Sequence, residues 1–194
     1  MRNSEIVRKT KETDINVKLE IDGSGKSSIN TGVGFFDHML TGFSKHGFFD
    51  LDLTCKGDLE VDAHHTVEDC GIALGEAIKK ALATKEGIRR FGDIILPMDD
   101  ALVLCAVDIS GRPYLNYDVK VTEEKCGDFD TCLASEFFYA VSYSAGMNIH
   151  IKQLAGMNGH HILEAAFKAF GKALDMATGY DNRIDGVLST KGSL

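Results

Sequence analysis

Two short segments, HHTVED at residues 64–69 and HHILEA at residues 160–165, organise this sequence, because each opens a long stretch with helical periodicity. Both contain the pattern His-His-x-x-Glu. In a helix, residues four apart share a face, so the first His and the Glu of each motif predict two ligands for one metal ion. The second His points about 100° away and needs another partner. The residues concerned are His64, His65 and Glu68, and then His160, His161 and Glu164.

The simplest arrangement has each histidine pair serving two metal ions, with one His for each ion. Neutral imidazole and carboxylate suit Mn, Fe, Zn, Co or Ni without selecting one of them. The alternative is that histidine pairs cap helices or lie on a hydrated surface, as single short motifs often do. The recurrence of the pair with the same downstream Glu favours the metal interpretation.

The elements around the motifs also recur. The first half predicts strands near 5–10, 14–21, 26–31 and 48–55 and helices near 35–45 and 64–83. The second half predicts strands near 90–96, 101–109, 114–121 and 147–151 and helices near 131–144 and 160–177. A repeated β-β-β-α-β-α order indicates duplication. It predicts an α/β fold of the α+β sandwich type, with two four-stranded sheets and helices packed on them.

We therefore expect a single catalytic domain made of two pseudo-repeats, about 1–86 and 87–186, followed by a substrate-binding tail at 187–194. Asp62 and Asn158 are expected as N-caps of the two motif-bearing helices. The segment GSGKSS at 23–28 resembles a phosphate loop, but Glu20 stands where a Gly is needed and no helix signal follows. It is interpreted as a hairpin turn.

Composition excludes several classes of protein. The net charge of −8 argues against a nucleic-acid binder. There is no apolar stretch of about 18 residues, so no membrane span is expected. The five cysteines contain no C-x-x-C pair, and the N-terminus MRNSEIVRKT has no apolar signal region. These features predict free thiols and a cytoplasmic location.

Further candidates follow from the repeat and from helical spacing. His38 and Glu136 occupy corresponding helices, so each is a candidate to complete one metal shell; the alternative is a packed or capping role. His160, Glu164, Lys168 and Lys172 recur every four residues, which places a basic group about 12 Å beyond the first ligand. A solvated amphipathic face would show the same stripe. Further basic candidates are Arg89, Arg90 and Arg112.

The motifs together resemble the imidazoleglycerol-phosphate dehydratase family. They are TKETDI, INTGVGFFDHML, DAHHTVED, GIRRFGD, DISGRPYL, GHHILEAAFKAFGKAL and LSTKG, in this order from residue 10 to residue 192. The resemblance implies a duplicated β-β-β-α-β-α fold. It also implies dehydration of imidazole glycerol phosphate to imidazole acetol phosphate in histidine biosynthesis. The implied assembly is a large homo-oligomer of trimers, a 24-mer, with two Mn²⁺ ions per active site.

The resemblance also implies roles for individual residues. One metal would be held by His38, His65, His160 and Glu164, and the other by His64, Glu68, His161 and Glu136, where better described members have a His at the last position. Glu12 is the candidate proton-transfer base. The implied substrate contacts are Glu12, His38, His46, Arg90, Arg112, Lys168, Ser189 and Lys191. Gly42 stands where the family has a Gln.

Two other classes of protein use similar ligands. A dinuclear metal hydrolase would release no carbonyl product. A di-iron storage bundle would need Glu-x-x-His motifs on four long helices, and the strand-rich segments here argue against it.

Overall fold

The structure, a computed structural model, describes residues 1–194 and contains the predicted order of elements twice. The first half contains β1 (Asn3–Lys9), β2 (Thr13–Glu20), β3 (Ser27–Asn30), α1 (Gly34–Gly47), β4 (Asp50–Gly57) and α2 (His64–Leu82). The second half contains β5 (Phe91–Met98), β6 (Ala101–Asp108), β7 (Tyr114–Asp118), β8 (Lys125–Cys126), β9 (Phe129–Asp130), α3 (Leu133–Ala145), β10 (Asn148–Ala155) and α4 (Gly159–Thr178). The predicted fold class is confirmed. The β8–β9 hairpin was not predicted, because strands of two residues carry no periodic signal.

The two four-stranded sheets have the same topology. Their strand orders are β1-β2-β4-β3 and β5-β6-β10-β7. In each sheet the last pair is parallel and the others are antiparallel. The parallel pair is joined by α1 in the first half and by α3 in the second, as parallel strands require a crossover connection.

Each sheet buries one face under its own helices. Side chains alternate along β2 and β6, so that Ile15 and Val17 in the first and Val103 and Cys105 in the second point into the core. Helix α2 packs on the first sheet and α4 on the second, while α1 packs against α4 and α3 against α2. One cluster of 48 buried apolar residues therefore extends through both halves.

Glycines allow the helices to approach closely at equivalent places. A Cβ atom on Gly171 of α4 would lie 2.5 Å from the carbonyl oxygen of Phe43 in α1, and one on Gly75 of α2 would lie 2.8 Å from that of Val141 in α3. Helix axes can come this close only where no side chain intervenes. The two contacts hold each motif-bearing helix against its partner.

Helices α1 and α3 also end alike. Their C-caps, Phe48 and Gly146, adopt the left-handed conformation with φ of 59° and 69°. Two buried serines, Ser44 and Ser142, donate their hydroxyls to the carbonyl of the residue after the cap, at 2.8 Å in both helices. The likeness of these details supports an origin by duplication.

Two local predictions need correction. Asn158 caps α4 by accepting from the amide of His161, as predicted. The N-cap of α2, however, is Ala63 and not Asp62. Asp62 lies one residue before the cap and accepts from the amide of His64 at 2.7 Å. The segment at 23–28 is not a hairpin turn, because β2 and β3 lie on opposite sides of β4. Asp50 at the start of β4 holds this connection by accepting from the amides of Ser24 and Lys26.

Candidate metal and substrate site

The N-terminus of α4 and the first turns of α1 bring three predicted ligands together. The Nε2 atom of His160 lies 3.2 Å from Oε2 of Glu164, and Nε2 of His38 lies 3.7 Å from the same oxygen. One donor atom from each of the three residues lies within 4.8 Å of the others. The ring of Phe35 packs edge-on against His160, with centroids 5.1 Å apart, and restricts its orientation. Two imidazole nitrogens and one carboxylate oxygen form a donor set suited to Mn²⁺ and similar divalent ions.

Glu164 is the most buried member of this group. Its side chain is 10% exposed, whereas those of His38 and His160 are about half exposed. Burial raises the pKa of Glu164, but the hydrogen bond from Lys168 and the charge of its ammonium group outweigh burial, so the pKa lies below its ordinary value. The carboxylate is therefore ionised and available to a cation at neutral pH.

Lys168 directs its ammonium group back toward Glu164, one turn earlier in α4. Its Nζ atom lies 2.7 Å from Oε1 of Glu164, because side chains in a helix lean toward the N-terminus. The stem of Lys168 passes over Gly42 of α1, whose Cβ position is 3.7 Å from Lys168 Cγ. The space above Gly42 is thus partly filled by a lysine stem.

A basic region continues from Lys168 toward the end of α1. Burial lowers the pKa of His46, and the neighbouring charges of Lys168 and Lys172 lower it further. His46 is therefore neutral at pH 7 and still able to donate one hydrogen bond. Lys172 places its ammonium group 4.3 Å from the ring centre of Phe48. This region is the local basic surface that an anionic substrate would need.

The first histidine pair, at the N-terminus of α2, is more open. His64 Nε2 lies 3.6 Å from Glu68 Oε2, and both side chains are more than 40% exposed. His65 turns away from them, as predicted. Its Nδ1 atom lies 3.0 Å from Asp58, and its Nε2 atom lies 3.9 Å from Oε1 of Glu12. The hydrogen bond to Asp58 raises the pKa of His65.

His161 is held in the same manner. Its Nδ1 atom lies 2.7 Å from Asp100, which raises the pKa of His161, and its Nε2 atom lies 3.5 Å from Asp99. A carboxylate on Nδ1 fixes the ring and leaves Nε2 directed outward, which is the usual arrangement around metal-binding histidines. Sequence reasoning missed Asp58 and Asp100. Both lie in loops outside the motifs, and only their contacts with the rings identify them.

The chain does not assemble either predicted four-ligand set. His38, His160 and Glu164 converge, while His65, the fourth member of that set, contacts Asp58 and Glu12 instead. In the second set only His64 and Glu68 lie close together. Its predicted member Glu136 lies in the first turn of α3, half-buried, without a hydrogen bond or ion pair to another side chain.

The predicted phosphate contacts also fall into separate groups. Arg90 binds Asp108 with its Nε at 2.7 Å and donates to the carbonyl of Leu188 at 2.8 Å, which ties the tail to the second sheet. Together with residues 183–185 and 187–190 it lines a cleft of about 510 Å³. The guanidinium group of Arg112 donates to the carbonyl of Ser110, two residues earlier. In the tail, Ser189 accepts from the amide of Lys191, and neither residue contacts Lys168.

None of the four helices combines the length and hydropathy needed to span a bilayer.

The sequence and the fold are similar to those of known proteins. Residues 31–174 match the model of a family described as imidazoleglycerol-phosphate dehydratase. The imidazoleglycerol-phosphate dehydratase of Lachnoclostridium phytofermentans is 65% identical over 193 residues, covering 100% of this chain and 98% of that protein. That of Acetivibrio thermocellus is 62% identical, with 100% and 99% covered.

Solved structures agree. The crystal structure of IGPD from Pyrococcus furiosus in complex with (S)-C348 is 46% identical, with a TM-score of 0.85 over 97% of this chain and 100% of that one. The imidazoleglycerol-phosphate dehydratase from Staphylococcus aureus is 40% identical, with a TM-score of 0.84 over 92% and 99%. With a matching family model, full-length relatives and solved structures of the same fold, the chain belongs to the imidazoleglycerol-phosphate dehydratase family.

Proposed function

We propose that this chain dehydrates imidazole glycerol phosphate to imidazole acetol phosphate in histidine biosynthesis, using two Mn²⁺ ions per active site. The observation that carries the metal part of this proposal is the convergence of His38, His160 and Glu164 within 4.8 Å. Two imidazole nitrogens beside an ionised carboxylate form a donor set that fits a divalent cation. Family membership supports the reaction itself.

We assign the ligands as two sets. His38, His65, His160 and Glu164 would hold one ion, and His64, Glu68, His161 and Glu136 the other. The carboxylates of Asp58 and Asp100 on the Nδ1 atoms of the second histidines support this assignment, because they leave both Nε2 atoms available. When bound, the ions would supply Lewis acidity that stabilises negative charge on the imidazole ring of the substrate.

Glu12 is the proposed base. The product carries its carbonyl one carbon beyond the carbon attached to the ring. The hydroxyl therefore leaves from the ring-bearing carbon, and the proton leaves from its neighbour. Glu12 would accept this proton and pass it to the departing hydroxyl, which would leave as water, and the resulting enol would tautomerise to the ketone. Its carboxylate is about half exposed and lies 3.9 Å from His65 Nε2, next to a ligand position.

The basic region would bind the phosphate. Lys168 and neutral His46 lie along α4 and α1 beyond the ligands, and both can donate hydrogen bonds. Arg90, Arg112, Ser189 and Lys191 would contribute from the second sheet and the tail. We propose that residues 1–186 form one catalytic domain and that the tail at 187–194 closes over the phosphate.

We further propose that neighbouring subunits complete the two metal sites in a cytoplasmic homo-oligomer of trimers, a 24-mer. The separation of His65 from the other members of its set within one chain supports this, because a ligand on one subunit would then meet three ligands on another.

The test is to remove metal with a chelator, restore Mn²⁺, and measure ketone formation from imidazole glycerol phosphate and particle mass by light scattering. We expect turnover and the large assembly to be lost together and restored together. Full turnover in metal-free protein would contradict the metal mechanism. Release of inorganic phosphate in place of a ketone would indicate a hydrolase instead.

A further inference from the structure

The turn that carries Glu12 is tied to α2 by a chain of side-chain hydrogen bonds. The hydroxyl of Thr10 accepts from the amides of Glu12 and Thr13 at 3.1 and 3.0 Å. It also lies 3.2 Å from the hydroxyl of Thr13, which donates to Asp69 of α2 at 2.5 Å. Because the hydroxyl of Thr13 donates its one proton to Asp69, Thr10 must donate to Thr13. The direction of every bond in the chain is thus set.

Asp69 is a buried carboxylate with few partners. Its residue is 7% exposed, and Thr13 is 3% exposed. Apart from Thr13, it pairs only with Arg8, whose Nη2 atom lies 2.7 Å from Oδ1. Burying a carboxylate is unfavourable unless its bonds are satisfied, so this arrangement needs a reason beyond filling space.

The second half of the molecule shows that the fold does not require it. Thr13 begins β2, and the equivalent first residue of β6 is Ala101. Asp69 is the sixth residue of its motif, and the sixth residue of the second motif is Ala165. Both alanines are buried, at 1% and 0% exposure. Two methyl groups fill the place of the hydroxyl and the carboxylate in the same topology.

The carboxylates on the two equivalent turns differ correspondingly. Asp100, between β5 and β6, accepts from the amides of Met157 and Asn158 and contacts His161, so it is fixed by its own bonds. The carboxylate of Glu12, between β1 and β2, accepts no hydrogen bond, and its nearest charged neighbour is His65 at 3.9 Å. The hydrogen-bond chain through Thr10 and Thr13 is therefore found only in the first half, where the carboxylate on the turn accepts no hydrogen bond.

We infer that Asp69, acting through Thr13 and Thr10, is a positioning residue that holds the backbone of Glu12 at a set distance from the histidine pair while leaving its carboxylate free. This inference rests on the proposed role of Glu12 as the base. The hydrogen bonds through Thr13 and Thr10 restrain the main chain of the turn. They leave the carboxylate oxygens of Glu12 free to accept a proton.

The test compares Thr13→Val, which keeps the shape but removes the hydroxyl, with Thr13→Ser, which keeps the hydroxyl. Thr178→Val is the control, since Thr178 is a buried threonine at the end of α4 whose hydroxyl bonds only within its own helix. We expect kcat to fall about tenfold or more in Thr13→Val, because small displacements of a reacting group are costly. KM and metal content should stay unchanged, and Thr13→Ser and the control should retain kcat. Equal kcat in Thr13→Val and Thr13→Ser would overturn the inference.

A double-mutant cycle separates positioning from general damage. In a Glu12→Gln background, Thr13→Val and Asp69→Asn should lower kcat no further than about twofold, because the group they position is already absent. Additive losses in the double variants would overturn the inference while leaving the dehydratase activity of the native chain in place. If Glu12→Gln alone keeps full kcat, both the base assignment and this inference are wrong. If the native chain forms no ketone, the proposed function itself fails.

Discussion

Helices α2 and α4 begin with the same ligand motif but continue differently. Four residues after its Glu, α4 has Lys168 and then Lys172, whereas α2 has Ile72 and Glu76 at these places. Glu164 is 10% exposed under α1, while Glu68 is 43% exposed. The two histidines and the Glu therefore recur in both helices, whereas only α4 carries two lysines in its next two turns.

The partner helices diverged too. Helix α1 presents His38 to the first turn of α4, and α3 carries Glu136 at the matching position against α2. Nε2 of His38 lies 3.7 Å from Oε2 of Glu164, whereas Glu136 forms no ion pair with a residue of α2. Three predicted ligands therefore converge between α1 and α4, and no such group forms between α2 and α3. Four predictions test this difference between the two helix pairs and a fifth tests a contact at the N-terminus, in order of decreasing effect.

Glu164→Gln should reduce kcat/KM by about a thousandfold, because loss of a metal-ligating carboxylate removes several kcal/mol of charge stabilisation. Glu68→Gln should have a smaller effect, since its site is more open. Steady-state kinetics and metal analysis of both variants measure the difference. A larger loss in Glu68→Gln would reverse the proposed ranking of the two sites.

Lys168→Met should lower kcat/KM by about ten- to a hundredfold, as expected for a lost charge-assisted bond to phosphate of about 1.5–3 kcal/mol. Metal content should be retained. Lys172→Met is the matched control, and its effect should be smaller because that ammonium group lies over Phe48. Equal losses in the two variants would mean that the charge of the region matters and not the position of Lys168.

Gly171→Ala should destabilise the protein by about 1–3 kcal/mol, because the added methyl group would overlap the carbonyl of Phe43 and force α1 away from α4. Gly75→Ala should destabilise the protein somewhat less. The added methyl group would come no closer than 2.7 Å to Ser144 Cβ, whereas that on Gly171 would lie 2.5 Å from the Phe43 carbonyl oxygen. Denaturant unfolding of both variants provides the measurement. An unchanged free energy of unfolding in Gly171→Ala would show that α1 and α4 can move apart without loss of stability.

Glu136→Ala should weaken one metal site by about tenfold and leave the other occupied. Glu136→His should bind metal at least as well as the native chain, because it makes α3 equivalent to α1. Titration with Mn²⁺, followed by metal analysis, distinguishes the two sites. Unchanged affinity at both sites in the Ala variant would exclude Glu136 as a ligand.

The smallest expected effect concerns the pair that joins the two halves at the N-terminus. Arg2 binds Asp22 and also donates to the carbonyl of Thr178 at the end of α4. The hydrogen bond from Arg2 holds the pKa of Asp22 below its ordinary value. The pair therefore stabilises the fold above the unfolded pKa of about 3.9, and this contribution is lost as pH falls through the lower folded pKa.

For Asp22→Asn we expect a loss of about 0.5 kcal/mol or less at pH 7, as is typical of an exposed pair. The difference from the native chain should shrink as pH falls below about 4. Thermal unfolding at several pH values measures it. A difference that grows on acidification would contradict the assigned pKa direction.

Much of this protein could be predicted from its sequence. Strand and helix order, the duplication and the paired ligands His64–Glu68 and His160–Glu164 are properties of local spacing, and backbone geometry converts spacing directly into shared faces. The cap at Asn158 is local in the same sense. The short β8–β9 hairpin was not predictable, because two residues per strand do not establish a period.

Contacts between elements could not be predicted in this way. Asp69 and Thr13 are 56 residues apart and meet only when the β1–β2 turn lies on α2. The carboxylates on His65 and His161, and the return of Lys168 to Glu164, likewise depend on how loops and side chains pack. Sequence alone determined which groups could bind a metal or an anion, because that follows from their chemistry and helical period. Only the tertiary structure decided which of them are held, which are free and which converge, because those outcomes depend on distances between segments that no local pattern encodes.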